Sequence, residues 1–461
     1  MYEKINNFVA KLQSQTHLPL WMLSNEVAIY ATAVNSKPAW GKKTKLLNFL
    51  INIAEKMKAA DLLIFSLGLA RAFSLWMRMK AKQKNKKTNH GSKFSRIFFS
   101  FKVSSEEYIY SEYKKKSKNT VLKIDSISLD GTEYFDKPEF KLILSFLFQY
   151  AFGYTAKLKK IQSEINLNTK VFLTVSALNI GTYAFYRAFW RMLKQKDVKE
   201  VAFITLDIPL HACIDEGIPT IYLQHGLLSR TLLIPKVDHF YTLTHDEEAY
   251  LKKLAPDIRI SRTTYLAYNN NSIKNNIIMI LSPDKFMEDF YKVRQFINQP
   301  IFNDQHIVIR PSPGTNENTL HILLQGLPNA VLDDLNVPLH LSIEKWNPKL
   351  MVAGWMSTGL ATALAYGCLP ISLYDPDIED KWMKRIYPND YWNTIYSIKS
   401  RVLFWPRDYQ TIKRVMISKT DYEAEIKKLR SCLIKQTLSV HSCDKLRTSG
   451  LNSYEPNFIP E

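Results

Sequence analysis

The sequence predicts an α/β protein with two Rossmann-like parallel-sheet domains facing a cleft, preceded by an extra helical and basic N-terminal region. Three observations carry this reading. The chain has 461 residues, more than one ordinary core takes up. From about residue 170, short apolar runs alternate with helix-patterned segments, as in parallel strands joined by helical crossovers. A polar stretch with an Asn triplet, SRTTYLAYNNNSIKNN at 261–276, interrupts the series, which then resumes.

Residues 1–60 place apolar residues at helical spacing. The longest apolar stretch, DLLIFSLGLARAFSLWM at 61–77, is interrupted by Arg71 and falls short of a membrane span. It reads either as a core helix or as one lying on a membrane surface. Residues 78–95 read as a basic, polar connector. Next come the β-like runs FSRIFFSFKV and NTVLKIDSISL, and 137–165 returns to a helical pattern.

In the alternating series, KVFLTVSA (170–177) reads as a strand and ALNIGTYAFYRAFWRMLKQKD (177–197) as an amphipathic helix. VAFITLD (201–207) is a strand, and PLHACIDEG a short helix stopped by Gly217. IPTIYLQHG (218–226) and VDHFYTLT (237–244) are strands. Beyond the linker, IIMILS, HIVIRPSPG, AVLDD, LMVAGW and LPISLYDP read as strands. FMEDFYKVRQFINQ, LSIEKW and STGLATALAYG read as helices or turns between them. The strand of LMVAGW is expected to end at Trp355, and residues 401–436 to be helical.

The predicted organisation follows. Residues 1–265 form a first domain, with 1–95 a helical and basic extension and 96–265 the α/β unit. Residues 275–400 form a second α/β domain. Residues 401–440 are helices packing back across the domains, and 441–461 a mobile tail.

Charge is high and uneven. The formal net charge is +19, and residues 51–100 hold eleven Lys/Arg against two acids, Glu55 and Asp61. The centre, RMKAKQKNKK at 78–87, has no acid. Such a run is either a solvated loop or a contact for an anionic partner, of which a lipid surface is one. The four cysteines, Cys213, Cys368, Cys432 and Cys443, form no CxxC pair, which fits a reducing compartment without a metal knuckle. The N-terminus lacks a basic-then-apolar signal pattern. The predicted location is cytoplasmic, with room for peripheral attachment to the inner face of the membrane.

In open α/β sheets ligands bind beyond the C-terminal ends of strands, so residues just after each strand are the candidates. Ser357 and Thr358 open a helix between Gly354 and Gly359. Their hydroxyls can cap the helix, donate to a phosphate at its positive end, or do both. Arg310, with Ser312 and Gly314 in the loop after it, is either a forked phosphate contact or a surface arginine on a turn. Asp207 ends an apolar strand and is a general base, a nucleophile or a loop-fixing cap. Gln224-His225-Gly226 ends another strand. His225 there can bind an anion, transfer a proton or only shape the turn. Ser229 and Arg230 follow closely enough to add an anion contact. Asp215-Glu216 falls at a helix end, where a structural role is the better reading. Asp375-Pro-Asp377 is a loop acid pair without a metal cluster around it. No glycine-rich dinucleotide or P-loop fingerprint appears.

These motifs together carry a resemblance. A strand ending in QHG, then strand–Ser/Thr–helix with ALAYG and LPI, is similar to bacterial GT-B glycosyltransferases of surface-polysaccharide (capsule or lipopolysaccharide) assembly. More narrowly, it resembles Kdo transferases, sialyltransferases and polysialyltransferases, which use CMP-activated ulosonic acids. The resemblance covers roughly residues 170–400. It implies that Ser357-Thr358 hold the CMP phosphate and that Asp207 is the catalytic acid or base of the N-domain. The His-Pro pair of those enzymes is replaced here by Arg310-Pro311.

The expected function is therefore transfer of a CMP-activated ulosonic acid, such as Kdo or a sialic-acid-like sugar, onto a growing surface glycan. CMP leaves as a monophosphate, so neither metal nor organic cofactor is expected. The expected partners are the nucleotide sugar, a glycan or lipid-linked glycan acceptor, and an anionic membrane surface through 78–87. Three alternatives stand: a CDP-polyol phosphotransferase, a transferase with a UDP or GDP donor, and a nucleic-acid-binding protein with steep salt dependence. For the last, the sequence shows no recognised fold, and no nucleic acid is expected as a partner.

Overall fold

The computed structural model describes residues 49, 59–83, 94–101, 106–117, 121–156, 169–205, 207–224, 235–242, 248, 251–252, 255–262, 274–281, 287–311, 321, 324–325, 327, 330–334, 337–354, 358–375 and 402–433.

Two six-stranded, all-parallel sheets organise these residues. The first contains β1 (Arg96–Ser100), β2 (Val121–Asp125), β3 (Glu200–Phe203), β4 (Thr220–Leu223), β5 (His239–Thr242) and β6 (Arg259–Arg262), in the order β2-β1-β3-β4-β5-β6. Alternation sets its two faces. Ile97 and Phe99 point into a core with α1 (Ala60–Gln83), α3 (Phe140–Ala151) and α4 (Thr169–Lys194). Phe98, between them, points the other way onto Ile109 and Tyr113 of α2 (Glu106–Lys116). Helix α5 (Ile208–Asp215) links β3 to β4. Gly217 follows at φ 65°, a left-handed turn that glycine adopts without strain.

Helices α1 and α4 cross at two glycines. A Cβ on Gly181 would lie 2.1 Å from the carbonyl oxygen of Gly68, so only glycine permits this approach. Behind the crossing lies an aromatic core in which Phe99, Tyr186, Trp190 and Phe203 meet with centroids 5.4–5.8 Å apart or little more.

The second sheet contains β7 (Asn275–Leu281), β8 (His306–Arg310), β9 (Ala330–Leu332), β10 (Pro348–Ala353), β11 (Leu369–Ser372) and β12 (Leu403–Phe404), in the order β12-β11-β10-β7-β8-β9. Counted within this sheet, that is 6-5-4-1-2-3, the doubly wound dinucleotide-binding order. Its helices are α6 (Met287–Ile297), α7 (Leu339–Trp346), α8 (Thr358–Ala365), α9 (Tyr409–Ile417) and α10 (Lys419–Leu433). Two parallel sheets with helical crossovers match the predicted fold class.

Four local expectations change. Residues 170–177 are not a strand but the first turns of the 26-residue helix α4. A short apolar run leaves helix and strand undistinguished, and no Gly or Pro separates this one from the helix that follows. Residues 78–83 are not connector but the last turns of α1. Strand β10 ends at Ala353, two residues before Trp355. Residues 403–404 pair with β11, and Ile412, Val415, Tyr422, Ile426 and Leu429 enter the second core. The segment 402–433 therefore adds a strand and two helices to the second sheet's unit, where helix alone was expected over 401–436.

Candidate active site

Strand order fixes where a ligand fits. In each sheet, neighbouring strands whose connections leave in opposite directions open a crevice at their C-terminal ends. In the first sheet these are β1 and β3, and in the second β7 and β10.

The first crevice gathers polar atoms that have no partner. Ser100 ends β1 and is wholly buried. Ser126 follows β2 and donates its backbone N–H to the Ser100 carbonyl at 3.0 Å. Asp207 follows β3 as the N-cap residue of α5, yet makes no side-chain cap bond. His211 stands one turn further along α5. Ser100 Oγ, Ser126 Oγ, both Asp207 carboxylate oxygens and His211 Nε2 are buried without a hydrogen-bond partner. Buried polar atoms are nearly always satisfied, so these orphans, at and just beyond the ends of β1, β2 and β3, make this crevice a candidate ligand site.

The electrostatics agree. Burial pushes the Asp207 carboxyl up to about 7, against the opposing pull of the Thr205 hydroxyl and the backbone N–H groups of Leu210 and Asp207 itself. Those groups favour the charged form from nearby, although no bond to either oxygen reaches hydrogen-bond geometry. Burial alone pushes His211 down to about 4, so its imidazole is neutral near pH 7. Tyr186 donates to the Ser126 carbonyl at 3.4 Å. Burial and then the charge of Asp207 raise its phenol, while Arg71 and Arg78 of α1 pull it down. Asp207, Tyr186, Asp125 and the two arginines thus share one electrostatic neighbourhood.

Gln224 closes the edge after β4. It is fully buried, and its backbone N–H bonds the Tyr241 carbonyl at 3.0 Å. His225, Gly226, Ser229 and Arg230 lie outside the described residues.

The acids at 215–216 serve packing, as the sequence suggested. Glu216 pairs with Arg187 and with Arg191 at 2.8 Å, and its carbonyl accepts from Lys194 at 2.8 Å. Asp215 accepts from Tyr183. These bonds bolt α4 onto the end of α5.

At the second crevice, α8 starts at Thr358, five residues past the end of β10, and Gly354 and Gly359 are buried there. The helix N-terminus therefore sits where the doubly wound order places a phosphate. Ser357 lies outside the described residues, as do Ser312 and Gly314.

Arg310 departs from expectation. Its guanidinium is buried and turned inward, bonding Asp333 at 2.9 Å, Ser342 Oγ at 3.0 Å and the carbonyls of Asp334 and Val337. It ties β8 to the β9 end and α7 instead of offering a fork to a phosphate. The apolar strand before it buries the side chain, and Asp333 arrives as its counter-ion. A cation the sequence reading missed is Arg407, after β12. It pairs with the buried Asp375 at 2.8 Å and lies 4.3 Å from the Phe404 ring centroid. That pairing accounts for Asp375 without a metal. Among the described residues no group of three metal-ligating side chains occurs.

Ser100, Ser126, Tyr186 and His211 were also missed. The first two were legible as ends of β-like runs, but those runs lie ahead of residue 170, where the alternating pattern becomes clear.

No protein-family model and no curated protein matches this chain. Solved structures similar to it include Staphylococcus aureus MnaA with UDP, at 10% identity over 72% of this chain and 90% of that one, TM-score 0.43. A UDP-GlcNAc 2-epimerase from Neisseria meningitidis, bound to UDP-GlcNAc, gives 11%, 76% and 97%, TM-score 0.42. The glycosyltransferase SnogD from Streptomyces nogalater gives 11%, 77% and 99%, TM-score 0.41.

Proposed function

We propose that the chain is a GT-B glycosyltransferase, moving a sugar from a nucleotide donor onto a hydroxyl of a glycan acceptor. The observation that carries this is Asp207: a carboxyl at a strand-end crevice, buried, unpartnered and poised at about 7. A base is most useful when its pKa lies near the working pH, and structural carboxylates are normally bonded. The residue as a whole is partly buried. In this reading its carboxylate accepts the acceptor's proton as the new C–O bond forms and the nucleotide leaves. Ser100 and Ser126 supply hydroxyls that bond the polyol, and neutral His211 supplies an acceptor nitrogen.

The donor is placed on the second sheet. Its phosphate rests at the α8 N-terminus, where Ser357 and Thr358 stabilise the charge that develops on the leaving group. Our reading of the donor is a CMP-linked ulosonic acid and of the product a surface glycan. A monophosphate leaving group needs little help from a metal. Thermal-shift titration with CMP, UDP, GDP and dTDP tests this. CMP is expected to raise the melting temperature, and S357A/T358A to abolish the rise. A shift with UDP, GDP or dTDP alone moves the donor class. No shift with any nucleotide overturns the reading.

A further inference from the structure

We infer that the face shared by α1 and α3 docks on an anionic lipid bilayer. Helix α1 turns one stripe, Ala60, Ile64, Gly68, Ala72, Leu75 and Met79, into the protein. The helix is apolar over most of its length, and only 28% of its most apolar stretch is buried. Leu62, Phe73 and Met77 are 57%, 47% and 42% exposed, and Phe148 and Phe152 beside them 54% and 43%. Monomeric soluble surfaces rarely gather large apolar side chains in this way.

The side chains form one face. Phe65 of α1 meets Phe148 and Phe152 at centroid distances of 4.7 and 5.3 Å. Phe148 and Phe152 stack at 5.4 Å. Eight residues along α1, Phe73 meets Trp76 at 6.1 Å and Phe140 at 5.8 Å. Early α1 thus faces late α3 and late α1 faces early α3, so the two helices run antiparallel. From Leu62 to Met77 the exposed line is about 22 Å long, enough to lie along a membrane.

Charge identifies the occupant. Lys80 and Lys137 sit over the Trp76 ring at 5.6 and 4.4 Å, at one end of the face. An indole flanked by lysines beside an apolar strip suits the headgroup level of an anionic leaflet. The acids nearby are already held: Glu139 pairs with Lys141 at 2.9 Å, Asp136 with Lys196, and Asp61 binds the backbone of Gly153 and Thr155. Within 78–87, Arg78 bonds the Ile127 carbonyl and Lys82 pairs with Asp130. Among the described residues the docking cations are therefore Lys80 and Lys137, and the anchoring depth comes from aromatic side chains.

Helix α1 would then carry lipid on one side and Arg71 and Arg78, whose charges act on Tyr186, on another. This inference does not rest on the transferase reading, since vesicle binding requires no donor.

The test is co-sedimentation of the full chain with phosphatidylcholine vesicles, with and without phosphatidylglycerol. The wild type is expected to pellet with the anionic vesicles and to be released by salt. Phe73→Ser/Phe148→Ser should lower the partition coefficient about tenfold or more. Lys80→Gln/Lys137→Gln should lower it about tenfold or more and weaken the salt dependence. Unchanged circular dichroism and melting temperature certify folding. Should the aromatic variant unfold, quenching by brominated lipid of the signal that Trp76→Phe removes reads the same face. Wild type that ignores anionic vesicles overturns the inference, as do variants that pellet like wild type. A dimer that Phe73→Ser/Phe148→Ser dissolves, without vesicle binding, assigns the face to a second copy. Protection of the face by residues 1–58 in solution, again without vesicle binding, assigns it to the chain itself.

Discussion

Replacing Asp207 by Asn makes the buried carboxyl report on itself. The two side chains have nearly the same shape, so the substitution chiefly removes titration. The folded-state value is about 7 against an ordinary 3.8, a rise of about three units. At 1.36 kcal/mol per unit this amounts to about 4 kcal/mol. The sign follows from the raised value. Native protein holds the proton more tightly than unfolded chain, so the favourable contribution is whole below pH 3.8. It is lost as pH rises to about 7. Wild type above pH 7 therefore carries a buried, unpaired charge that Asp207→Asn lacks. The difference in stability between variant and wild type should grow by about 4 kcal/mol from pH 4 to pH 8, a large share of a domain's total. Denaturant unfolding at a series of pH values measures it, with hydrogen exchange of β3 and α5 amides as the local readout. A difference that stays flat across that range, or grows toward acid, refutes the assignment.

Three further substitutions test separate parts of the account. His211 is depressed from 6.5 to about 4, so its contribution is whole above pH 6.5 and is lost as pH falls toward 4. His211→Gln should remove about 3 kcal/mol of that acid-side loss, seen in the same unfolding series. Arg310→Met breaks a buried pair and leaves Asp333 uncompensated, costing about 3–5 kcal/mol. Because Arg310 is structural, the melting temperature should drop equally with and without nucleotide. Gly181→Val forces α1 off α4 at Gly68 and should cost about 3 kcal/mol, with early loss of exchange protection in α1.

Much of the fold was legible because parallel strands buried on both faces read as short apolar runs bounded by Gly217, Gly367 and polar loops. The doubly wound order itself was not legible, because pairing of β10 with β7 and of β3 with β1 joins segments far apart in sequence. Helix α2 was hidden by its polar sequence EEYIYSEYKKK, which shows little apolar periodicity. At the site, Asp207 could be chosen from its place after an apolar strand. Its missing partners are a three-dimensional fact that no spacing displays. Arg310 shows the converse: the same strand-end logic selected it, yet Asp333, from the end of a neighbouring strand, turns it inward.

The most direct measurement of the central claim is nucleotide release by mass spectrometry from CMP-, UDP-, GDP- and dTDP-sugars, in the presence of surface-glycan acceptors, across pH. The account predicts release from one donor class with a rate that rises through about pH 7, as Asp207 ionises. Asp207→Asn should lower that rate by about 10²–10⁴-fold while donor binding persists. A variant that releases nucleotide at the wild-type rate, with the same pH profile, contradicts the assignment of Asp207 as the base.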